Sequence, residues 1–511
     1  MVRTLFDVAL AAVCQHGLTS NVAFLPGESK EKLLEYFTSH DMLTSPDCVR
    51  VLSEPLFSEN LIRINFFLSD QLTDAVLSMV VGNSTRIHEI SIIECPGSST
   101  SQRTKSASSS LNLRAMRNLT QNGLKAVKSP VLQSVDLSGC FKLTSEAIFE
   151  LVFHNPSIKR LYLNSCRGLD DQALYDIAHY IGNNLLSIEL DFLPNFLEPA
   201  LTIQRFSQKC SNIAQLSLCR FFEPDLDLEE RADEYEIEGV KLREIDLYGN
   251  HFAILPKLPK TLRICRLSLT GSENAEDLAR RLRLQPLLRE LHLQLECLEE
   301  DVSSIENANN FLVQFLPLMA PLVTKLQITL QRMSEAAIEA VTERLPALVD
   351  LALDVPHLNT HYLKRFFAGG IHSKGARLQS LKLSRMRITY RALFAIGKGA
   401  TSLVELECSY MPCIDDRFLI LLADNCKALR SVNFNGCRWI TDRGLSALAR
   451  NGALTECRIR GTGCTDKSIY RLAQSCPAFE WLSHRDFSGR PSFSETALQH
   501  LRNACIQRVI C

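Results

Sequence analysis

From Leu132 to Leu151 the apolar positions are Leu132, Val135, Leu137, Cys140, Leu143, Ala147, Ile148 and Leu151, with Thr144 just before the last group. The spacing returns 26 residues later as Ile158, Leu161, Leu163, Cys166, Leu169, Ala173, Leu174 and Ile177, with Asp170 at the threonine position. It returns again as Leu429, Val432, Phe434, Cys437, Ile440, Leu445 and Leu448, with Thr441 and Asp442, and once more from Leu454 through Cys457 and Ile459 to Ile469. The first part of each unit alternates with a period of two, which predicts a short strand with one buried face. The Thr or Asp that follows is a helix N-cap type. The next apolar residues fall at i, i+1 and i+4, a helical stripe. Such a strand–turn–helix unit cannot bury its apolar face alone, but stacked neighbours make a continuous core.

The strand core continues with looser spacing. Its last apolar position falls at Leu190, Leu218, Leu247, Leu269, Leu293, Ile328, Leu353, Leu383 and Cys408, in steps of 22 to 35 residues. The first strand reads Ile87-x-x-Ile90-x-Ile92, and its helix comes only at Leu119–Leu124. The Ser- and Thr-rich stretch between them, about 96–110, reads as a disordered insertion. Val509-Ile510-Cys511 is the last strand candidate. Residues 1–60 break the pattern. Thr4-Leu5-Phe6-Asp7 has capping-box form and predicts a helix carrying Leu5, Ala9 and Val13 on one face. Pro26 opens a second helix containing Lys32–Phe37, and Pro46 and Pro55 break the chain again. The division expected is a helical module over 1–60 and a repeat array over 61–511.

Composition narrows the function classes. A chain of 511 residues exceeds what one globular core supports. Its 56 basic and 57 acidic residues give a net charge of −1, against a general nucleic-acid binder or a polybasic membrane-surface protein. No run of 18 apolar residues predicts a membrane span. Leu5–Val13 follows Arg3 as a signal core would, but Asp7 interrupts it and Cys14-Gln15-His16 makes a poor cleavage site. The 18 cysteines form no C-x-x-C pair, so buried reduced thiols are expected rather than a zinc site.

These repeats resemble the cysteine-containing class of leucine-rich repeats. The resemblance implies an α/β solenoid: a curved horseshoe with parallel strands on the concave face, helices on the convex face, and Cys140, Cys166 and Cys437 in the core. The N-terminal arrangement Thr4-Leu5-x-x-x-Ala9-x-x-x-Val13 resembles the elongin-binding box of ubiquitin-ligase substrate receptors. Leu25-Pro26 resembles the start of the box that contacts a cullin. Ala9 departs from the usual cysteine. An F-box also opens with Leu-Pro, but its later Trp is absent, since the tryptophans are Trp439 and Trp481. A plain helical cap over the first repeat reads similarly.

The resemblance implies a substrate-recognition subunit of a cullin–RING ligase. Its partners would be elongin B/C and a cullin, or an F-box-type adaptor, and it would reside in cytoplasm or nucleus. Thr4, Leu5, Ala9, Val13, Leu25 and Pro26 would dock the ligase core, and the repeats would hold a protein target. Two rivals stand beside it, a non-ligase interaction scaffold and a secreted repeat protein whose cysteines would be paired.

No constellation supports catalysis, a cofactor or a metal. His357-x-x-x-His361 has Leu358 where a zinc protease has Glu. Gly397-Lys398-Gly399 lacks P-loop spacing. Ser483-His484-Arg485-Asp486 is contiguous, whereas a triad is assembled by geometry. The outward strand positions Asp136, Tyr162, Glu189, Asp191, Glu244, Asp246, Tyr248, Glu290 and His292 are mostly acidic, the chemistry that fits a basic recognition segment. Lys382, Glu405, Glu407, Asn433, Arg458 and Arg460 are mixed in charge. An acidic loop spans about 221–240; within it, 223–238 holds nine acidic residues and the single basic Arg231.

Overall fold

The computed structural model describes residues 22, 24–39, 42–43, 45–59, 61–66, 72–81, 89–92, 110–116, 118–222, 236–252, 254–297, 301–383, 386–485, 490–506 and 509. They fall into two units, the first over 1–252 and 256–261, the second over 253–255 and 262–511.

The first unit opens with helices α1 (Gly27–Ser39), α2 (Pro46–Leu52) and α3 (Pro55–Ser58). Pro46 and Pro55, read from sequence as breaks, each start a helix, where proline's missing N–H costs nothing. Eight parallel strands follow: β1 (Arg63–Phe66), β2 (Glu89–Ile92), β3 (Ser110–Asn112), β4 (Ser134–Asp136), β5 (Arg160–Tyr162), β6 (Ser187–Glu189), β7 (Gln215–Ser217) and β8 (Glu244–Leu247). Each pairs with the next in order. Between them run α4 (Asp74–Val81), α5 (Gln121–Lys125), α6 (Ser145–His154), α7 (Asp171–Tyr180) and α8 (Pro199–Lys209). The first strand is therefore β1, one repeat earlier than the alternation predicts. The helix at Gln121 belongs to β3, because Ser110, placed by sequence in the insertion, is already paired with Glu89 and Ser134.

The second unit has nine strands in one parallel series. They are β9 (Ile264–Leu269), β10 (Glu290–Leu295), β11 (Lys325–Thr329), β13 (Asp350–Asp354), β15 (Ser380–Leu383), β16 (Glu405–Glu407), β17 (Ser431–Asn433), β18 (Glu456–Arg458) and β19 (Trp481–Ser483). A separate short pair joins β12 (Arg332–Met333) to β14 (His357–Leu358). The helices are α9 (Ala275–Arg283), α10 (Val302–Met319), α11 (Glu335–Arg344), α12 (His361–Phe366), α13 (Tyr390–Gly399), α14 (Asp416–Asn425), α15 (Asp442–Ala449), α16 (Asp466–Ser475) and α17 (Glu495–Ala504). Leu293 pairs with Leu267, so the strand position read as Leu269 is displaced by two residues. Val509 is buried, and no strand follows β19 among the described residues.

Buried strand residues line up in rows from one strand to the next. Leu111, Val135, Leu161, Ile188, Leu216 and Ile245 form one such row, and Leu113, Leu137, Leu163, Leu190, Leu218 and Leu247 the next. Helix residues such as Ile148, Leu151, Leu174 and Ile177 close over them. Each such side chain contributes about 1.5–3 kcal/mol on burial.

Polar groups stitch repeat to repeat. Cys140 Sγ donates to the Leu113 carbonyl, Cys166 Sγ to Leu137 and Cys437 Sγ to Cys408, each at 3.1 Å. All three thiols are fully buried, as expected, and burial pushes Cys166 up to about 12 and Cys437 to about 11. They are neutral donors, not nucleophiles.

On the helix side, the first residue of one helix accepts from the N-cap of the next. Asp416 accepts from Thr441 N and Oγ1 at 2.8 and 2.6 Å. Asp442 accepts from Thr465 N and Oγ1 at 2.8 and 2.6 Å, and from Ser468 N and Oγ at 3.2 and 2.5 Å. Burial pushes the Asp442 carboxyl upward, but the hydrogen bonds from Ser468 and Thr465 outweigh it and hold it below the usual range. Its contribution to stability is therefore present above the unfolded-state value and lost as pH falls through the depressed folded value. Asp442→Asn is expected to cost about 2 kcal/mol at neutral pH. The gap between parent and variant should shrink below about pH 4. Denaturant midpoints measured across pH check this, and a gap that persisted undiminished in acid would contradict it.

Candidate functional site

The strands of the first unit extend their pairing past their formal ends. Leu163 N donates to the Glu189 carbonyl, Leu190 N to Ser217 and Leu218 N to Asp246, each at 2.9 Å. The polar strand positions between the buried apolar ones therefore stand in three rows. One holds Ser187, Gln215 and Glu244, the next Asp136, Tyr162, Glu189, Ser217 and Asp246, and the last Ser138, Asn164, Asp191, Cys219 and Tyr248.

Within these rows the acidic residues are knitted into a hydrogen-bonded network. Asn164 Nδ2 donates to Glu189 Oε2 at 2.7 Å, while Asn164 Oδ1 accepts from Asp191 N at 3.0 Å. Asp191 Oδ1 accepts from Ser217 Oγ at 2.7 Å and Cys219 N at 2.9 Å. Cys219 Sγ donates to Asp246 Oδ1 at 3.1 Å, an oxygen that also accepts from Tyr248 N. Gln215 Nε2 donates to Glu244 Oε2 at 2.9 Å. Burial raises the Asp191 carboxyl above its usual range. Burial also raises the Cys219 thiol, and Asp191 and Asp246 beside it add to the effect, so it is no nucleophile.

Of the residues expected on this face, Glu189, Asp191, Glu244 and Asp246 lie together on β6 to β8 and just beyond, with Tyr162 and Tyr248 on its margins. Asp136 does not join them. It is only 8% exposed and its Oδ1 accepts from Ser138 N at 3.0 Å, turned back on its own backbone. Glu290 lies in the second unit, in a ladder of alternating sign. His292 Nε2 is 2.8 Å from its Oε1 and Lys325 Nζ 3.9 Å from its Oε2, and Lys325 also meets Asp350 at 2.8 Å. The hydrogen bond from His292 holds the Glu290 carboxyl below its ordinary range. The predicted acidic stripe thus gives way to paired charges there, because strand neighbours that sequence cannot align supply the cations.

Sequence reasoning missed Asn164, Ser217 and Cys219, which sit at the same offsets in the repeat. It also missed Phe192 and Arg220. Phe192 (φ +59°) and Arg220 (φ +47°) hold left-handed backbone at the repeat position that glycine fills at Gly139 and Gly249. Their side chains stack, with the Arg220 guanidinium 5.4 Å from the Phe192 ring centre, and Phe192 is 46% exposed. A large exposed side chain retained in that conformation costs on the order of 1 kcal/mol, a pattern that clusters at binding sites. The signal for it was the misfit between these residues and the glycine of the aligned repeats.

At the N-terminus, Thr4, Leu5, Ala9 and Val13 lie outside the described residues. Leu25 and Pro26 stand at the head of α1, where Ser29 N and Lys30 N donate to the Pro26 carbonyl. Both are exposed, as is Phe24 at 73%. Lys30 Nζ donates to the Leu56 carbonyl, which brings the exposed Leu56 to the same end of the helix. The other face of α1 buries Leu33, Leu34 and Phe37 and packs on β1.

The remaining candidate chemistry is not assembled. His357 is on β14 and His361 at the start of α12, so the two share no helix face. His484 is buried, accepts from Ser492 N at 3.2 Å, and is pushed down to about 4 by burial. Asp486 lies outside the described residues, as do 223–235 of the acidic loop. No cluster of three metal-ligand side chains occurs among the described residues. No described helix is long and apolar enough to cross a membrane.

A family model described as Leucine Rich repeat matches residues 425–449, the stretch that holds β17 and α15. No curated protein matches the chain in sequence. Among solved structures, it is similar to one in the yeast Rad7 and Elc1 complex, with 15% identity over 97% of this chain and 96% of that one, at a TM-score of 0.29. It is also similar to one in the TLR13–ssRNA13 complex, with 14% identity over 84% of this chain and 64% of that one, at a TM-score of 0.38. With the strand–turn–helix repeats described above, the fold is an α/β leucine-rich-repeat solenoid.

Proposed function

We propose that the chain is the target-binding subunit of a cullin–RING ubiquitin ligase. The observation that carries this reading is the exposed apolar group Phe24, Leu25, Pro26 and Leu56 at the head of α1, in the unit whose strands carry the hydrogen-bonded carboxylates. An exposed apolar group at the end of a helical module is the kind of surface a partner covers. The elongin-box-like Thr4, Leu5, Ala9 and Val13 precede it in sequence. Recruitment through elongin B/C and a cullin follows from that resemblance, and an F-box-type adaptor is the variant of the same reading. The half-buried carboxylates Glu189, Asp191, Glu244 and Asp246, with Phe192 and Arg220 beside them, would hold a basic segment of the target protein. In this role the chain performs no catalytic step, takes no cofactor and works in cytoplasm or nucleus.

A second reading, an interaction scaffold outside the ubiquitin system, is favoured by a different observation. Leu33, Leu34 and Phe37 of α1 are buried and that helix packs on β1, which is what a simple cap over the first repeat requires.

One affinity capture from cell lysate, run with three chains, separates them. The parent is expected to recover elongin B/C and a cullin, and a Leu5→Asp/Ala9→Asp variant to lose both. A Glu244→Lys/Asp246→Lys variant is expected to keep the ligase subunits and lose the target. Absence of any ligase subunit with the parent would leave the scaffold. Unchanged target recovery with the charge-reversed chain would remove the acidic face from the account.

A further inference from the structure

One edge of the second unit carries leucines that the repeat does not call for. α9 ends at Arg283, and the turn Leu284–Arg289 leads from it into β10. Leu288 in that turn is buried, as are Ile158, Leu348, Leu429 and Phe479 at the same place in other repeats. The residue before it is Ser157, Ala347, Ala428 or Ala478 in those repeats, and the residue four before it is His154, Arg344, Asn425 or Ser475. Here the two positions hold Leu287 and Leu284, 43% and 64% exposed. Small or polar side chains satisfy the fold at both places, so packing within the repeat does not explain the leucines.

Cations flank them. Arg289 closes the turn, its Nη1 donating to the Pro286 and Leu288 carbonyls at 3.0 and 2.7 Å, which lays the guanidinium beside Leu287. Arg263 of the preceding repeat is its neighbour, since the Arg263 carbonyl accepts from Arg289 N at 3.0 Å. Paired backbones lie about 4.8 Å apart, and like charges set side by side at that spacing repel. Arg263 and Arg283 are exposed and make no ion pair or side-chain hydrogen bond among the described residues. The helix dipole favours Arg283 at the end of α9, but Arg263 and Arg289 lie outside the helix. The carboxylates nearest in sequence are engaged elsewhere. Asp277, about 9 Å back along α9 from Arg283, accepts from Arg280 and Arg281. Glu290 pairs with His292 on the strand face. The turn 284–289 and the next one, 320–324, hold no acidic residue. Thr324 N donates to the Arg289 carbonyl at 2.9 Å, so that neutral turn, with its exposed Pro321, continues the edge.

We infer that this edge, through Arg263, Arg283, Leu284, Leu287 and Arg289, binds an acidic segment of a partner protein that also carries apolar side chains. Charge complementarity names the occupant, because three arginines stand here with no carboxylate in the turns between them. Carboxylates of the segment would relieve the repulsion between Arg263 and Arg289 and take the guanidinium edges by charge-assisted hydrogen bonds. Apolar side chains of the segment would cover Leu284 and Leu287, removing exposed apolar area from water. An apolar centre within a polar rim is the ordinary anatomy of a protein interface. The edge precedes the strands rather than lying on their faces, carries the opposite charge to the carboxylates of the first unit, and does not depend on ligase recruitment.

The test is fluorescence anisotropy with the full chain and three labelled peptide pools: random copolymers of Glu with Leu, of Gln with Leu, and of Glu with Ser. The Glu–Leu pool is expected to bind at least about tenfold more tightly than either of the others. Arg263→Gln/Arg283→Gln should weaken that binding about tenfold, the loss of two charge-assisted contacts. Leu284→Ser/Leu287→Ser installs the residue that other repeats carry at Ser475 and Ser157. It should weaken binding by about tenfold as well, with the thermal melt unchanged. A melt of each variant reports the fold. No binding of the Glu–Leu pool, equal binding of either other pool, or undiminished binding by either folded variant would overturn the inference. So would tighter binding of phosphatidylserine vesicles than of the Glu–Leu pool, lost with the same residues.

Discussion

Asn250→Leu is expected to cost the first unit about 3 kcal/mol, the scale of removing the centre of a buried hydrogen-bond network. Asn250 is 1% exposed and uses both ends of its amide. Its Oδ1 accepts from Phe221 N and Phe222 N at 3.0 and 2.9 Å, and its Nδ2 donates to the carbonyls of Leu218 and Leu247 at 2.7 and 3.0 Å. Leucine matches the volume and makes none of the four bonds, which leaves Phe221 N, the Leu218 carbonyl and the Leu247 carbonyl with only the longer backbone bonds from Phe221 N to Leu218 at 3.2 Å and from residue 250 N to Leu247 at 3.3 Å. The position follows Leu247 as Cys140 follows Leu137, and there a thiol donates to the preceding strand. Asn250→Cys is therefore expected to recover the donor function alone and to fall between parent and leucine variant. Denaturant unfolding measures the order, and hydrogen exchange at the Phe221 and Phe222 amides locates the cause. If leucine and cysteine were equally mild, the network would carry little of the stability assigned to it.

Gly271→Ala is expected to cost the second unit about 2–4 kcal/mol, backbone strain and overpacking together. Its φ is +87°, and a Cβ there would lie 2.5 Å from Ala308 N and 2.6 Å from Ala308 Cα, backbone atoms of α10 that no rotamer change can clear. The turn cannot swing away, because Thr270 N and Gly271 N both donate to the Glu273 carboxylate at 2.7 and 2.8 Å. Gly370 is the internal control. Its φ is +62° and a Cβ there meets nothing within 4 Å, so Gly370→Ala carries the conformational cost alone, about 1 kcal/mol. Thermal melts of the two variants separate contact from conformation. Equal shifts would show that α10 yields to the added methyl.

Both effects sit at positions the sequence marks only in part. Asn250 stands at the repeat offset that Cys140 and Cys166 occupy in earlier repeats, so its burial was legible. Its four partners were not, since Leu218, Phe221 and Phe222 come from the repeat before and Leu247 from its own. The same division holds for the carboxylates. Glu189, Asp191, Glu244 and Asp246 could be assigned to the outward face by counting, but the donors Asn164, Ser217 and Cys219 emerge only when strands are set in register.

By itself the sequence determined the repeating unit, the buried Cys140, Cys166 and Cys437, and the capping residues Asp170 and Thr441, because each depends on spacing within one strand–turn–helix segment. Only the tertiary structure decided that β1 and β3 are strands, that Leu267 rather than Leu269 pairs with Leu293, that Asp136 is buried and Glu290 paired, and that Arg458 lies in register with Asn433 and Ser483. A three-residue strand carries too little periodicity to declare itself. Its existence, register and charge partners are set by hydrogen bonds to strands some 25 residues away, where small changes in spacing choose which side chains meet.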